Sequence, residues 1–335
     1  LKLSILDQSP ASSGKTAQQA LHDSLSLAQA GEKLGYTRYW IAEHHDFPGL
    51  TCPAPEVMLG YIGGQTETIR IGSGAVLLPH YKPYKVAETY NLLAALFPGR
   101  IDVGIGRAPG GSAEATMALS DNYLEQVRKM PESVDTLLHF FKNDFPSDDM
   151  FSKITPSPVP DILPEPWILG TSKKSAILAA KHGLSYAFGQ FMSDQDVTDI
   201  IDQYKSEFRS NNWSPVPNTI AAVSVLCAET KEEAEDLALP NQIWKIQLAK
   251  GEGRKGIPSL AEAKHYSLTP EEKEMLNSMK KRSIIGSPSY VKRRLEELRE
   301  HYQADEMMIV TITHDIKDRV RSYELIANEC LACST

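Results

Sequence analysis

Short apolar runs of strand length alternate with longer stretches of helical period along most of the chain, the pattern of repeated strand-helix units around a parallel sheet. The strand candidates cover residues 3–6, 38–42, 69–78, 101–105, 167–170, 186–189, 220–227 and 306–312. Helical periodicity predicts helices over 16–34, 54–64, 86–96, 132–142, 174–182, 194–211, 231–250 and 315–328. Start signals sharpen two of these: Ser193 stands ahead of Asp194, and Thr230 ahead of Lys231-Glu232-Glu233, where a hydroxyl can satisfy the first free backbone N–H groups of a helix.

Eight strands and eight helices predict an α/β fold, a closed (β/α)8 TIM barrel forming a single domain over 1–335. Such barrels take about 250 residues, so insertions are expected, and two are visible. Residues 143–165 are rich in Pro, Asp and Ser and read as a surface excursion. Residues 251–283 are charged and rich in Gly and Lys, then helical over 270–281, ahead of a helix over 288–301. A connection between the seventh and eighth strands begins at the catalytic face of a barrel, so 251–283 fits a mobile lid or an ordered decoration equally well.

Composition narrows the function classes. With 335 residues and 41% hydrophobic content there is material for one large core or two ordinary ones. Lys+Arg 35 against Asp+Glu 43 leaves a net charge of -8, which argues against a nucleic-acid binder. No window approaches the roughly 18 uncharged apolar residues of a membrane span. Residues 1–6 read as a strand without a signal peptide's basic region and cleavage site, so a cytoplasmic protein is expected. Cys52, Cys227, Cys330 and Cys333 are too scattered for a disulfide framework, and Cys330-Leu331-Ala332-Cys333 lacks the second ligand pair of a zinc site; it is read as a tail, with no metal expected.

Catalytic groups of such barrels sit at the C-terminal ends of the strands. The first strand ends in Asp7-Gln8-Ser9-Pro10, where Asp7 suits either a salt bridge or the site. The second ends in Ala42-Glu43-His44-His45-Asp46. Period-two alternation sends the two histidines to opposite sides, so a shared metal is not expected, while one histidine could move protons near neutral pH with the adjacent carboxylates setting its tautomer. The third contains Gly72-Ser73-Gly74-Ala75, glycines that mark either tight curvature or the close approach of a ligand. The fourth ends in Gly104-Ile105-Gly106-Arg107, an unobstructed arginine suited to an anion. The fifth ends in Gly170-Thr171-Ser172-Lys173-Lys174-Ser175, where a helix start, hydroxyls and lysines make a phosphate cradle. A flat, phosphorylated cofactor shaped like FMN would suit this mouth.

Taken together, Ala42-Glu43-His44-His45, Ile71-Gly72-Ser73-Gly74-Ala75 leading to Pro79, and Gly99-Arg100 through Gly104-Ile105-Gly106-Arg107 resemble the bacterial luciferase-like monooxygenase family. Leu6-Asp7-Gln8-Ser9-Pro10 and Gly170-Thr171-Ser172 resemble its alkanal monooxygenase-like branch. The resemblance implies a (β/α)8 barrel, reduced FMN (FMNH2) delivered by a separate reductase, and oxygenation of a small aldehyde-like or other apolar substrate by O2 through a C4a-peroxyflavin. By position it makes His44 the proton-transfer residue, with Glu43 and Asp7 orienting it or the isoalloxazine edge. Gly74-Ala75 becomes a non-prolyl cis peptide packed on the flavin. Arg107, Gly170, Thr171, Ser172 and Ser175, and more loosely Lys129, become phosphate contacts.

A homodimer through the second and third helices is the family analogy. Light-emitting members carry cysteine where this chain has Gly106, which argues against luminescence, and Gln190 replaces an aromatic or histidine at the mouth. Two other readings stay open: hydride transfer with F420, a deazaflavin, or a bound flavin on the same barrel, and a non-catalytic flavin-binding subunit.

Overall fold

The computed structural model describes residues 1–193, 195 and 197–331. Strands β1 (Leu3–Asp7), β2 (Arg38–Ile41), β3 (Arg70–Leu77), β4 (Ile101–Gly106), β5 (Glu165–Gly170), β6 (Ser185–Gly189), β7 (Thr219–Cys227), β8 (Ile284–Gly286) and β9 (Glu306–Val310) are all parallel to their neighbours. The pairings β1-β2-β3-β4-β5-β6-β7-β9 and back to β1 close a ring of eight, the expected TIM barrel. The remaining strand, β8, lies outside that ring. β7 runs past it, and its last residues, Val225 to Cys227, pair with Ile284 to Gly286.

The helices around the barrel are α1 (Ala17–Lys33), α2 (Pro55–Gly63), α3 (Pro83–Leu96), α4 (Ala113–Leu119), α5 (Tyr123–Arg128), α6 (Met130–Lys142), α7 (Lys173–Lys181), α8 (Val197–Glu207), α9 (Lys231–Ala249), α10 (Leu260–His265), α11 (Pro270–Arg282), α12 (Pro288–Tyr302) and α13 (Ile316–Cys330). α3 starts three residues before the apolar stripe because Pro83 occupies its first turn, where a missing N–H costs nothing. α4 and α5 were not expected; at 7 and 6 residues they are too short to show a period. The expected helix start at Asp194 and the Cys333 of the CxxC lie outside the described residues. Among the described residues no helix is long and apolar enough to cross a membrane.

Three layers of side chains explain the stability of the ring. Its outer face, with Ile5, Ile71, Val103, Phe188 and Ile309, packs against the helices in one continuous core. Its inner face carries Leu6, Trp40, Trp167, Ile220 and Met308. Below them, at the N-terminal end, a buried ionic layer replaces hydrocarbon. Arg38 lies 2.8 Å from Asp102 and 2.9 Å from Glu306 and stacks 4.7 Å over Trp167, while Arg70 also pairs with Asp102. Each buried charge there has a partner, as burial demands.

The 251–283 insertion is ordered. Ser259 with Glu262 and Thr269 with Glu272 form capping boxes that start α10 and α11. These helices lay Ala263, Tyr266, Leu276 and Met279 on Ile243 and Ile246 of α9. A turn at Ile257 is tied to the loop after β1 by backbone bonds to Ala11 (3.0 Å) and Ser13 (2.8 Å). The decoration therefore docks over the end of β7, at the face where the strands terminate. Residues 143–165 turn back on α6, with the ring of Phe145 edge-on to Phe140 at 4.8 Å and that of Phe151 tilted against it at 5.4 Å.

Candidate active site

Strand alternation places Leu6, Trp40, Ala222 and Met308 with their side chains inward, and above them the strand ends open into a cavity of about 470 Å³. That volume is within the range of small-molecule sites. One wall is β3 and β4. The Gly74-Ala75 peptide is cis, as the resemblance implied, and the register between β3 and β4 shifts there. Glycine is required on this wall: a Cβ at residue 74 would stand 2.6 Å from Leu6 Cδ1, one at 106 would stand 2.8 Å from the Cβ of Ala75, and one at 104 would strike the Ser73 carbonyl at 2.0 Å. The result is a smooth apolar surface of the kind a planar ring needs.

At the cavity's edge Arg107 and Thr171 face each other across the ends of β4 and β5, and Gly170 lies beside them. An Nη of Arg107 lies 3.4 Å from the Ser172 hydroxyl. Ser172 is the N-cap of α7 and closes a capping box with Ser175, so a cation, two hydroxyl-bearing residues and a helix start converge, the elements of an anion site. Ser175 belongs to the support of this turn. Its buried hydroxyl donates to the Ser172 carbonyl at 2.7 Å and lies 3.0 Å from the Tyr186 hydroxyl. Gly170 is needed because a Cβ there would meet the Ser175 Oγ at 2.2 Å.

The second strand end separates its two histidines as alternation required. His44 borders the cavity, its ring edge-on to Phe47 at 5.4 Å, and its Nδ1 is buried with no hydrogen-bond partner. Burial, and secondarily the neighbouring His45, lowers its pKa to about 4, so the ring is neutral at pH 7. His45 turns the other way. Its Nε2 lies 2.7 Å from Glu43, its backbone N–H donates to Gly110 O at 2.8 Å, and its ring meets His80 edge-on at 5.9 Å.

Two expected site residues, Asp7 and Lys129, lie away from the cavity, and a third, Glu43, lines it with its carboxylate committed to other partners. Glu43 does not orient His44: its carboxylate takes His45, the Tyr81 hydroxyl at 2.7 Å and the Leu77 N–H at 3.0 Å. Asp7 does not face the cavity. It is one residue past Leu6, so the pleat points it outward into the helix layer, where it meets Arg319 of α13 at 2.5 Å and the Tyr39 hydroxyl at 2.5 Å. Arg319 and the Tyr39 hydrogen bond hold its carboxyl below the usual range although burial alone would raise it. Lys129 lies at the end of α5, paired with Glu125 at 2.5 Å, and does not border the cavity. Gln190 opens a 3-10 turn, Gln190–Met192, with a buried amide oxygen that has no partner.

Tyr81 and Arg319 were missed. Each acts through a residue far away in sequence, Arg319 being 312 positions from Asp7, so no local pattern could have flagged them.

These strand ends form a barrel mouth with a smooth glycine wall and a cationic edge at Arg107 and Ser172. The sequence profile described as luciferase-like monooxygenase matches residues 1–304, and the chain belongs to that family. It is 37% identical to the N-acetyl-S-alkylcysteine monooxygenase of Bacillus subtilis (strain 168) over 337 residues, covering 99% of each chain. Among solved structures, apo-MsnO8 matches with a TM-score of 0.89 and 34% identity, covering 98% of each chain. At the level of fold alone, the FMN complex of the oxygenating constituent of 3,6-diketocamphane monooxygenase from Pseudomonas putida matches with a TM-score of 0.73 and 20% identity, covering 100% of this chain and 99% of that one. An F420-dependent secondary alcohol dehydrogenase with an F420-acetone adduct matches with a TM-score of 0.71 and 13% identity, covering 98% of each. Barrels of this fold thus hold FMN or F420.

Proposed function

We propose that this protein is a cytoplasmic FMN-dependent monooxygenase that receives FMNH2 from a separate reductase and oxygenates a small organic substrate with O2. The observation that carries the reading is the pairing of Arg107 with the Ser172 cap at one edge of a cavity whose wall is the glycine-smoothed β3-β4 surface. The residues fit the cofactor: an anion site for the phosphate, an apolar wall for the ring, and a buried histidine nitrogen without a partner beside it. Reduced FMN, when bound, supplies the electrons and activates O2, so that one oxygen atom enters the substrate and the other leaves as water.

The chain's own residues do the rest. Arg107, Thr171 and Ser172 hold the phosphate. Leu6, Trp40 and Met308 keep water out of the cavity floor. His44, neutral at pH 7, offers Nδ1 as the acceptor or donor of a proton at the reacting end. The alkylcysteine activity named for the Bacillus relative supports a thioether as the substrate class to try first. Exposed Val57 and Tyr61 on α2 and Leu92 and Leu96 on α3 support a homodimer through those helices.

The test is oxygen uptake with FMNH2 and a panel of small thioethers and aldehydes. A product carrying one atom from labelled O2 is expected. Reoxidation of FMNH2 without product, with reduction of F420 instead, would assign the barrel to hydride transfer.

A further inference from the structure

The loop after α9 places an arginine beside the histidine of the cavity. Arg254 borders a second hollow of about 380 Å³, lined also by Asp46, Phe47, Leu50 and Thr51, and His44 is the residue this hollow has in common with the large cavity. The backbone under both charges is fixed. Gly251, Gly253 and Gly256 take φ values of 74°, 84° and 80°, which let the chain turn sharply on either side of Arg254. Gly256 passes so near the loop after β2 that a Cβ on Gly49 would stand 3.1 Å from its Cα, and Ile257 donates its N–H to Ala11 O at 3.0 Å. Asp46 sits at φ 46°, and its Oδ2 accepts from the Ser112 hydroxyl at 2.7 Å.

Arg254 is exposed and makes no ion pair or hydrogen bond among the described residues. Two acids that line an adjoining hollow with it are engaged elsewhere, Glu252 with Lys250 at 3.8 Å and Glu262 with the Ser259 N–H at 2.7 Å. Asp46 lines the same hollow as Arg254 without pairing with it, and its Oδ1 makes no hydrogen bond among the described residues. A guanidinium and a carboxylate that share a hollow yet stay apart suit a ligand carrying the opposite pair, an acid for the forked N–H donors and an N–H for the carboxylate. We propose that this hollow holds the head group of an α-amino acid or N-acyl amino acid, its carboxylate on Arg254 and its α-nitrogen donating to Asp46, with the side chain running past His44 into the apolar cavity. This inference rests on the monooxygenase reading and says how its substrate is gripped: the oxidisable atom lies on the side chain, at the His44 end.

The probes are N-acetyl-S-butylcysteine, its primary carboxamide, its N-methyl derivative, its S-methyl analogue and S-butylcysteine. Each is titrated calorimetrically at pH 7, with excess FMN, into the wild-type protein, Arg254→Met and Arg254→Lys, and FMN is titrated alone into the same proteins. In the wild type the acid should bind about tenfold or more tightly than the carboxamide and than the N-methyl derivative. Arg254→Met should bring the acid-to-carboxamide ratio close to one while keeping the cost of N-methylation, which reads Asp46. Arg254→Lys should keep most of that ratio, and FMN affinity should be the same in all three proteins. Shortening the S-alkyl chain should weaken binding by about threefold or more per carbon as the apolar cavity empties. The tighter of the acetylated and the free amino acid identifies the head group. Equal affinities of acid and carboxamide in the wild type, no binding of either acid, no cost of N-methylation, no dependence on alkyl length, or an acid preference that survives Arg254→Met overturns the proposal. So does a fall in FMN affinity in Arg254→Met, which would give the arginine to the flavin. An intact acid preference in a wild type that binds no FMN would remove the cofactor reading and leave the head-group site standing.

Discussion

The carboxylate of Glu43 stands 2.7 Å from Nε2 of His45 and makes no hydrogen bond to His44, the residue between them. The pair works as a clamp, since Glu43 also holds the end of β3 through Leu77 and the following turn through Tyr81, and His45 joins the loop after β4 by its bridge to Gly111. His44 is thereby turned to the cavity without a charged partner, while His45 is held in the wall beside Glu43.

If His44 is the proton-transfer group proposed above, His44→Ala removes it without touching Arg107, Ser172 or the β3-β4 wall. Turnover should fall by about 10² to 10⁴, the range for acid-base catalysis, while FMN affinity changes little. Steady-state rates on the best thioether and a parallel flavin titration check this; a His44→Ala enzyme with wild-type turnover would take the histidine out of the mechanism.

The protonation of His44 carries a linked stability effect. Its pKa in the fold is about 4, against 6.5 for an ordinary histidine. Between those values the unfolded chain binds the extra proton, so the contribution of the neutral ring is full above pH 6.5 and is lost as pH falls toward 4. An NMR titration of the ring should show a midpoint near 4, and urea unfolding at pH 7 and pH 5 should show the wild type losing more stability than His44→Gln. A midpoint near 6.5 would refute the burial argument.

Arg107→Ala should weaken FMN binding about ten- to a hundredfold, the worth of hydrogen bonds to a charged group, and leave riboflavin, which has no phosphate, bound as before. Flavin fluorescence quenching measures both. A matched loss for the two flavins would place Arg107 against the ring instead of the tail.

Glu43→Ala strands His45, Tyr81 and the Leu77 N–H at once in a site where Glu43 is 3% exposed. A loss of about 2 to 4 kcal/mol in urea unfolding is expected, with Glu43→Gln losing less because an amide can still accept from Leu77 and Tyr81. Equal stability of Glu43→Ala and the wild type would show that the clamp contributes nothing.

If α2 and α3 form the contact between two copies, Leu92→Lys on the exposed patch at 49% exposure should shift sedimentation from dimer to monomer without lowering the melting temperature of the isolated barrel. A wild-type chain that sediments as a monomer at micromolar concentration removes the dimer.

Much of the architecture was legible because period-two and period-3.6 signals are local. The fourth strand, expected over 101–105, forms as Ile101–Gly106, and the sixth, expected over 186–189, as Ser185–Gly189. The glycines of the third strand were legible too, since only a backbone without Cβ atoms can pass as close to Leu6 and Ala75 as residues 74 and 106 do. What escaped detection was short or non-local. The three residues of β8 have a partner only because β7 overshoots the ring, and Arg319 reads in sequence as one more cation on a helix, its partner Asp7 lying 312 positions away.

The order of apolar and polar residues therefore settled the eight-stranded ring, the face on which chemistry gathers and the separation of His44 from His45, because backbone pitch alone imposes those relations. Folding decided the partners. Asp7 became an anchor for Arg319 and Glu43 went to His45, since each outcome depends on which distant side chain the closed barrel and its docked helices bring within hydrogen-bond reach.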